Sequence, residues 1–135
     1  MREILFRGKR KDNGEWIDGF YFFDECALIV ENLSYSLIKN KQCQLVGVHP
    51  IISETVGQYT GLTDKNGKKI FEGDLCLCDR NISTRVDKQV FTIIFDDEDG
   101  AWVGTGWSSS IEAREFSMCE IIGNIHDNPE LLGAE

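Results

Sequence analysis

The sequence predicts a mainly β protein, a small barrel or sandwich with few short helices. Short apolar segments alternate with Gly-rich turns, and apolar residues are not sustained at helical spacing over any long window. Asn-Gly pairs at 13–14 and 66–67 separate segments that can extend. Asn-Gly is a strong hairpin signal because both residues tolerate the positive φ of a tight reversal. Paired strands joined by tight turns are therefore expected along most of the chain.

The first part of the chain is expected to open with a hairpin. Apolar and polar residues alternate near 2–9 and 15–23, on either side of the first Asn-Gly pair, which predicts two strands. Apolar, β-branched segments at 27–30 and 43–48 predict two more strands, and 35–38 is a weaker candidate. Pro50 lacks a backbone donor and indicates an edge or a loop. It is a plausible seam between a lobe at 1–50 and a lobe at 51–135.

The second part continues the pattern after the turn at 65–67. Gly67 and Gly73 are expected in positive-φ corners, where a side chain would clash. Strands are predicted at 75–78, 90–95, 101–107 and 118–125, with an acidic turn at 96–100. Residues 110–116 could hold one short helix. Asn128 and Pro129 predict a terminal helical turn over 128–132, with Asn128 as its cap.

Composition limits the function classes. The 135 residues carry a net charge of −9, which disfavours non-specific adhesion to DNA or anionic membranes. Apolar runs do not approach the roughly 20 residues of a membrane span, and the N-terminus lacks a signal-peptide core. Thiols of a protein that is not exported stay reduced. We therefore expect a cytoplasmic protein without a membrane partner.

Candidate metal and catalytic residues are present without the spacing that such sites need. Cys76 and Cys78 would face the same side of a strand, but structural zinc sites usually show two close ligand pairs. The acidic turn fails the calcium-loop pattern at both ends. His49 and His126, the latter beside Asp127, lack the context of a nucleophile. We predict no enzyme, no cofactor and no metal, and buried cysteines that pack as small hydrophobes.

The aromatic residues admit two interpretations. They alternate with polar residues as buried strand faces do, so they are predicted to fill a thin β core. This prediction covers Phe6, Trp16, Phe20, Phe22, Phe71, Phe91, Phe95, Trp102, Trp107 and Phe116. Aromatics exposed near Arg7, Lys9 and Lys11 would instead indicate base stacking, as in single-strand binders.

Three segments resemble the YopX family of bacteriophage and prophage proteins. Residues 57–75 resemble its signature, 2–7 with 16–20 its opening, and 120–132 its closing motif. The segments 24–44 and 80–88 match nothing in the family pattern. The resemblance implies an SH3-like small β-barrel in the C-terminal part, preceded by a smaller β-rich lobe. It also implies a bacterial host cell and supplies no catalytic or binding residue.

The leading functional prediction is a non-catalytic phage accessory protein that binds another protein, which could be a second copy of itself. The alternative is a nucleic-acid-binding module that uses two basic turns. The residues predicted for this alternative are Arg7, Lys9, Arg10, Lys11, Lys65, Lys68 and Lys69.

Overall fold

A computed structural model describes residues 3–24, 26–37, 42–82, 85–106 and 109–133 of the chain. It divides into two compact units, Met1–Tyr59 and Thr60–Glu135. The boundary follows Tyr59, whereas the seam expected from the sequence lay at Pro50. Ile51 is buried in the core of the first unit, and its amide donates to the carbonyl of Ala27. Residues 51–59 therefore belong with the first unit.

The first unit is an antiparallel sheet. Its strands are β1 Phe6–Lys9, β2 Trp16–Asp24, β3 Cys26–Leu37, β4 Gln42–Pro50 and β5 Gly57–Thr63. Their order is β4-β3-β2-β1-β5, and the first residues of β5 pair with β1. Pro50 ends the edge strand β4, where a missing backbone donor is tolerated, as its sequence indicates. The remainder of β5 belongs to the second unit.

The predicted opening hairpin is confirmed. β1 and β2 pair antiparallel with Lys9 opposite Trp16, and Gly14 takes a φ of 72° in the turn between them. One face of the sheet is packed: Ala27, Ile29 and Ile51 are buried there. We call this the core face.

The second unit contains the rest of β5 and six further strands among its described residues. These are β6 Lys69–Phe71, β7 Asp74–Ile82, β8 Arg85–Asp96, β9 Ala101–Thr105, β10 Ser110–Glu112 and β11 Cys119–Asn124. β6 neighbours β5, and the other five form an antiparallel sheet of order β10-β9-β8-β7-β11. In the described part of the chain this sheet is open, with β10 and β11 at its edges. The predicted SH3-like closed barrel is therefore not confirmed, although the mainly β class is.

The core of the second unit lies against this open sheet. It contains Ile70, Cys76, Cys78, Phe91, Ile93, Ile111, Phe116 and Cys119. Apolar residues at alternate positions of β7 and β8 point to this side, as the period of a strand requires.

Helical structure in the described residues is limited to short 3₁₀ segments at Ser53–Thr55, Ala113–Met118 and Pro129–Gly133. The helix expected at 110–116 was partly wrong, because Ser110–Glu112 forms strand β10 beside β9. The helical segment begins three residues later. In it the Glu112 amide donates to the Glu115 carboxylate, half of a capping box.

The terminal helical turn is present over Pro129–Gly133. The carbonyl of Asn128, the predicted cap, accepts the Leu131 amide. The side chain of Asn128 accepts a hydrogen bond from the Asn124 amide at 3.2 Å. Across the described residues, helices of the length and apolar character that a bilayer span requires do not occur.

Candidate functional site

The turn at 64–68 is built around the carboxylate of Asp64. One oxygen accepts the amides of Asn66 and Lys68 at 2.8 and 2.9 Å, and the other accepts the amide of Ile121 on β11 at 3.0 Å. Gly67 has a φ of 82°, as predicted, and its amide donates to the carbonyl of Asp64. A single buried side chain thus ties the β5–β6 turn to strand β11.

The protonation of Asp64 follows from these contacts. Burial by itself would raise its pKa. The amides of Ile121, Lys68 and Asn66, with the Lys68 ammonium, outweigh burial and hold the pKa of Asp64 below its ordinary value. The carboxylate is therefore charged near neutral pH, and its oxygens are used by the backbone.

The corner after β6 is fastened in the same way. The buried Asp74 carboxylate accepts the Phe71 amide at 2.8 Å. Gly73 has the predicted positive φ, at 90°; its amide donates to the carbonyl of Ile93, and its carbonyl accepts the amide of Ile125. This corner is thereby connected to β8 and to the segment after β11.

The closing motif is held by Asn124. Its side-chain oxygen accepts the amides of His126 and Asp127 at 3.0 and 2.9 Å, and its amide nitrogen donates to the Asp127 carboxylate at 3.2 Å. Asp127 is thus engaged by the loop that contains it. The Asn124 side chain thus takes the place that a backbone hydrogen-bond acceptor would have in this turn.

The motifs that the sequence singled out therefore serve the framework. The polar atoms of Asp64, Asp74 and Asn124 each satisfy backbone amides of the turns around them. A buried amide without a partner is costly, so these side chains stabilise the corners. The carboxylates of Asp64 and Asp74 and the amide of Asn124 therefore have a structural role in these turns.

The cysteines of the second unit lie together on one sheet face. Cys119 is directly opposite Cys78 in the β7–β11 ladder, Cys76 lies two positions along β7, and all three are buried. Cys119 donates a weak hydrogen bond to the carbonyl of Glu115 at 3.4 Å. Its neighbour Cys76 and burial raise the pKa of the Cys119 thiol far above its ordinary value. Neutral thiols in an apolar core are poor nucleophiles, and packing is the role predicted for them.

Within the described ranges, three or more His, Cys, Asp and Glu side chains do not come together in a way that could hold an ion. A cleft of about 350 Å³ lies in the second unit beside Trp102, Asp99 and Arg114. Arg114 is held there by the Glu112 carboxylate at 2.9 Å.

A different surface is found on the first unit, on the side of the sheet opposite the core face. The register of the ladders puts the even-numbered residues of β2 and β3 on this side, together with their partners on β1 and β4. We call this side the outer face; it includes Arg7, Lys9, Trp16, Asp18, Phe20, Phe22, Asp24, Cys26, Leu28, Val30, Val48 and Pro50. Two rows cross three strands: Phe20–Val30–Val48 and Phe22–Leu28–Pro50.

Part of this apolar surface faces solvent, but Val30, which lies between Phe20 and Val48 in the first row, is only 1% exposed. The exposed fractions of Phe20, Phe22 and Val48 are 45%, 50% and 42%. Core filling was therefore the wrong prediction for Phe20 and Phe22, as it was for Phe95 on β8. It was right for Phe71, Phe91 and Phe116, which are buried. Trp107 lies outside the described residues.

The error has a plain physical cause. Alternation along β2 divides its side chains between two faces, and the core lies on the side of Ile17 and Tyr21. Phe20 and Phe22 have the opposite parity, so they point away from the core. Phe23 has the parity of Ile17 and is nevertheless 65% exposed, so parity alone does not decide burial at this end of β2. Alternating polar neighbours mark two distinct faces in a sequence, but they do not say which of them is covered.

The outer face also contains part of the predicted basic set. The Arg7 guanidinium lies 4.7 Å from the centre of the Trp16 ring, and the Lys9 ammonium lies 5.6 Å from it. The Nε and Nη2 atoms of Arg7 are buried, whereas the Lys9 side chain is half-exposed. Asp18 lies opposite Arg7 in the ladder.

The other predicted basic residues are distributed differently. Arg10 forms an ion pair with Asp12 at 2.6 Å and holds the pKa of Asp12 below its ordinary value. Lys11 is exposed in the β1–β2 turn. In the second unit, Lys65 lies 3.9 Å from the Glu120 carboxylate. Lys68 and Lys69 are exposed near the Asp64 turn.

The two units together define an all-β protein assembled from open antiparallel sheets with tight, side-chain-locked corners. The model of the YopX protein family matches residues 5–133, so this chain belongs to the YopX family. A comparison with curated proteins found no match.

A solved structure is similar over the whole length: protein EF1440 from Enterococcus faecalis. The two chains are 24% identical and superpose with a TM-score of 0.67, over 98% of this chain and 99% of the other. At this identity the likeness concerns the fold.

Proposed function

We propose that this chain is a non-catalytic interaction module and that the outer face of its first unit is the working surface. The observation that carries the proposal is the solvent exposure of two aromatic residues, Phe20 and Phe22, on the side of the sheet opposite the buried Ala27 and Ile29. Contiguous exposed apolar surface on a small protein indicates a binding site. Aromatic residues are also enriched at the centres of such sites.

The absence of catalysis is part of the proposal. It is supported by the use of Asp64, Asp74 and Asn124 as partners of backbone amides, and by the burial of Cys76, Cys78 and Cys119. A role as a phage or prophage accessory protein in the bacterial cytoplasm is proposed from the family resemblance alone.

A protein partner, including a second copy of the chain, is one candidate for this surface. It is supported by the aliphatic part of the two rows, where Leu28, Val48 and Pro50 lie beside the phenyl rings. A nucleic acid is the other candidate, supported by Arg7 and Lys9 at the Trp16 end of the same face.

The proposal can be tested with three baits in a bacterial lysate: the unmodified chain, the double variant F20S/F22S and the control F23S. Phe23 is 65% exposed on the same strand but points to the other side. We expect the unmodified chain and F23S to retain the same partner and F20S/F22S to lose it. Parallel samples treated with nuclease separate protein from nucleic acid. Identical recovery by all three baits, or recovery of nothing by any of them, would contradict the proposal.

A further inference from the structure

We propose that the ligand of the outer face is single-stranded nucleic acid, with Phe20 and Phe22 as the base-stacking platform and Lys9 as a phosphate contact. This inference rests on the proposed function and names the partner class. It is carried by the spacing of the two rings, the position of the cations and the distribution of charge between the two units.

The rings are placed as a stacking platform requires. Phe20 and Phe22 are two positions apart on β2 and share a face, which separates them by roughly 6.7 Å along the strand. Bases stack on exposed aromatic side chains without regard to sequence, because every base has a π face. Successive bases of an unpaired strand can therefore occupy the two rings, whereas paired and stacked bases of a duplex cannot reach them.

The cations lie beside this platform on the same face. Lys9 is directly opposite Trp16 in the ladder, and Trp16 is four positions before Phe20 on β2. The Arg7 guanidinium and the Lys9 ammonium lie over the Trp16 ring, and Lys9 is half-exposed. A nucleic-acid strand whose bases stack on Phe20 and Phe22 would place its phosphate backbone near Lys9 and Trp16.

The charge of the chain does not oppose this ligand where it would bind. The first unit contains seven Lys and Arg against eight Asp and Glu, a net charge of −1. The second unit contains seven against fifteen, a net charge of −8. The acidity inferred from the whole sequence therefore belongs to the second unit. Two acidic residues also have positions on this face: Asp18, across from Arg7, and Asp24, two positions after Phe22 on β2.

The test is fluorescence anisotropy with labelled oligothymidine, oligouridine and a duplex of the same length, each about a dozen nucleotides long. We expect the unmodified chain to bind both single strands in preference to the duplex. F20S/F22S should weaken binding at least about tenfold, while F23S should bind as the unmodified chain does. Thermal melting of each variant checks that it is folded.

Conservative variants separate base stacking from simple apolar contact. F20Y/F22Y retains the rings, and we expect it to bind single strands normally. F20L/F22L retains apolar surface without rings, and we expect the same loss as for F20S/F22S. Lys9→Glu should weaken binding and lower the dependence of log Kd on log salt by about 0.7, because one phosphate is no longer neutralised. Asp18→Asn should strengthen binding.

The inference is overturned if the unmodified chain binds no single strand, if the duplex binds equally well, or if F20L/F22L binds like F20Y/F22Y. A protein partner lost by F20S/F22S in the lysate experiment, without any oligonucleotide binding, would overturn the inference and leave the proposed function standing. Failure of both experiments would overturn both.

Discussion

The two units of this protein use their aromatic and polar residues in opposite ways. In the first, phenylalanines of β2 face solvent and the net charge is close to zero; in the second, Phe91 and Phe116 are buried and the acidic residues accumulate. Signature residues of the second unit, such as Asp64 and Asn124, hold turns together. The comparison teaches that the most recognisable part of the sequence is framework, and that the surface we propose for binding lies elsewhere.

The largest expected effect contrasts the same substitution in the two units. Phe91→Ala empties a fully buried position of the second unit and should reduce the free energy of unfolding by roughly 3–5 kcal/mol. Phe22→Ala removes a half-exposed ring and should change it by no more than about 0.5 kcal/mol. Urea denaturation of both variants measures the difference. Equal losses would mean that Phe22 packs as core and that the outer face is not a free surface.

The next effect concerns the carboxylate that fastens the second unit. In Asp64→Asn one side of the side chain becomes an NH₂ group, which cannot accept from both the turn amides and Ile121. We expect a loss of about 1–3 kcal/mol in the free energy of unfolding, because a buried amide is left without its partner.

The same residue predicts a pH dependence. Because the folded pKa of Asp64 is lowered, the unfolded chain binds more protons. The stabilisation is present above the unfolded pKa of about 3.9 and is lost as the pH falls through the lower folded value. Asp64→Asn should therefore show a shallower loss of stability below about pH 4. An unchanged acid profile would exclude Asp64 as its source.

A smaller effect is expected at the turn itself. Gly67 has a positive φ and open space around its Cα, so a substitution there tests backbone conformation without a steric clash. Gly67→Val should cost about 1–3 kcal/mol, as expected for a β-branched residue forced into that region. Gly67→Asn is the matched control and should cost less, because Asn tolerates positive φ. Equal melting temperatures for all three chains would argue against the turn conformation.

The last prediction concerns the thiols, for which the rate of chemical labelling is measured in place of stability. Cys76, Cys78 and Cys119 are buried and should react with a thiol reagent at the rate of unfolding, whereas half-exposed Cys26 should react before these three. Mass spectrometry of the partly labelled protein identifies the order. Early labelling of Cys119 would show that the core of the second unit opens readily.

Much of the fold followed from local pattern. The hairpin around Gly14 and the corners at Gly67 and Gly73 were predictable because turn chemistry depends on a few adjacent residues. Strand β10 was missed because three residues are too few for periodicity, and its partner β9 supplies the reason for its extended form. Local sequence pattern does not predict whether the second sheet closes into a barrel, because closure depends on which edge strands pair with each other.

The candidate site was predictable only in part. Lys9 and the aromatic residues were visible as residue types, but their common face depends on the β1–β2 and β2–β3 registers. The alternation on β2 held the missed signal: two parities, both aromatic, at 20–23. Tyr21 and Phe23, on the core side, are 36% and 65% exposed, so the alternation gives the face of each ring but not its burial.

The sequence by itself determined the mainly β class, the positions of the glycine corners and the membership of a family, because these depend on neighbouring residues and on order along the chain. Tertiary structure alone decided that Asp64 reaches Ile121, a contact between residues far apart in the chain. It also decided which side of β2 is packed against Ile29 and which is left to solvent. Burial is a property of the assembled sheet, and no single strand contains it.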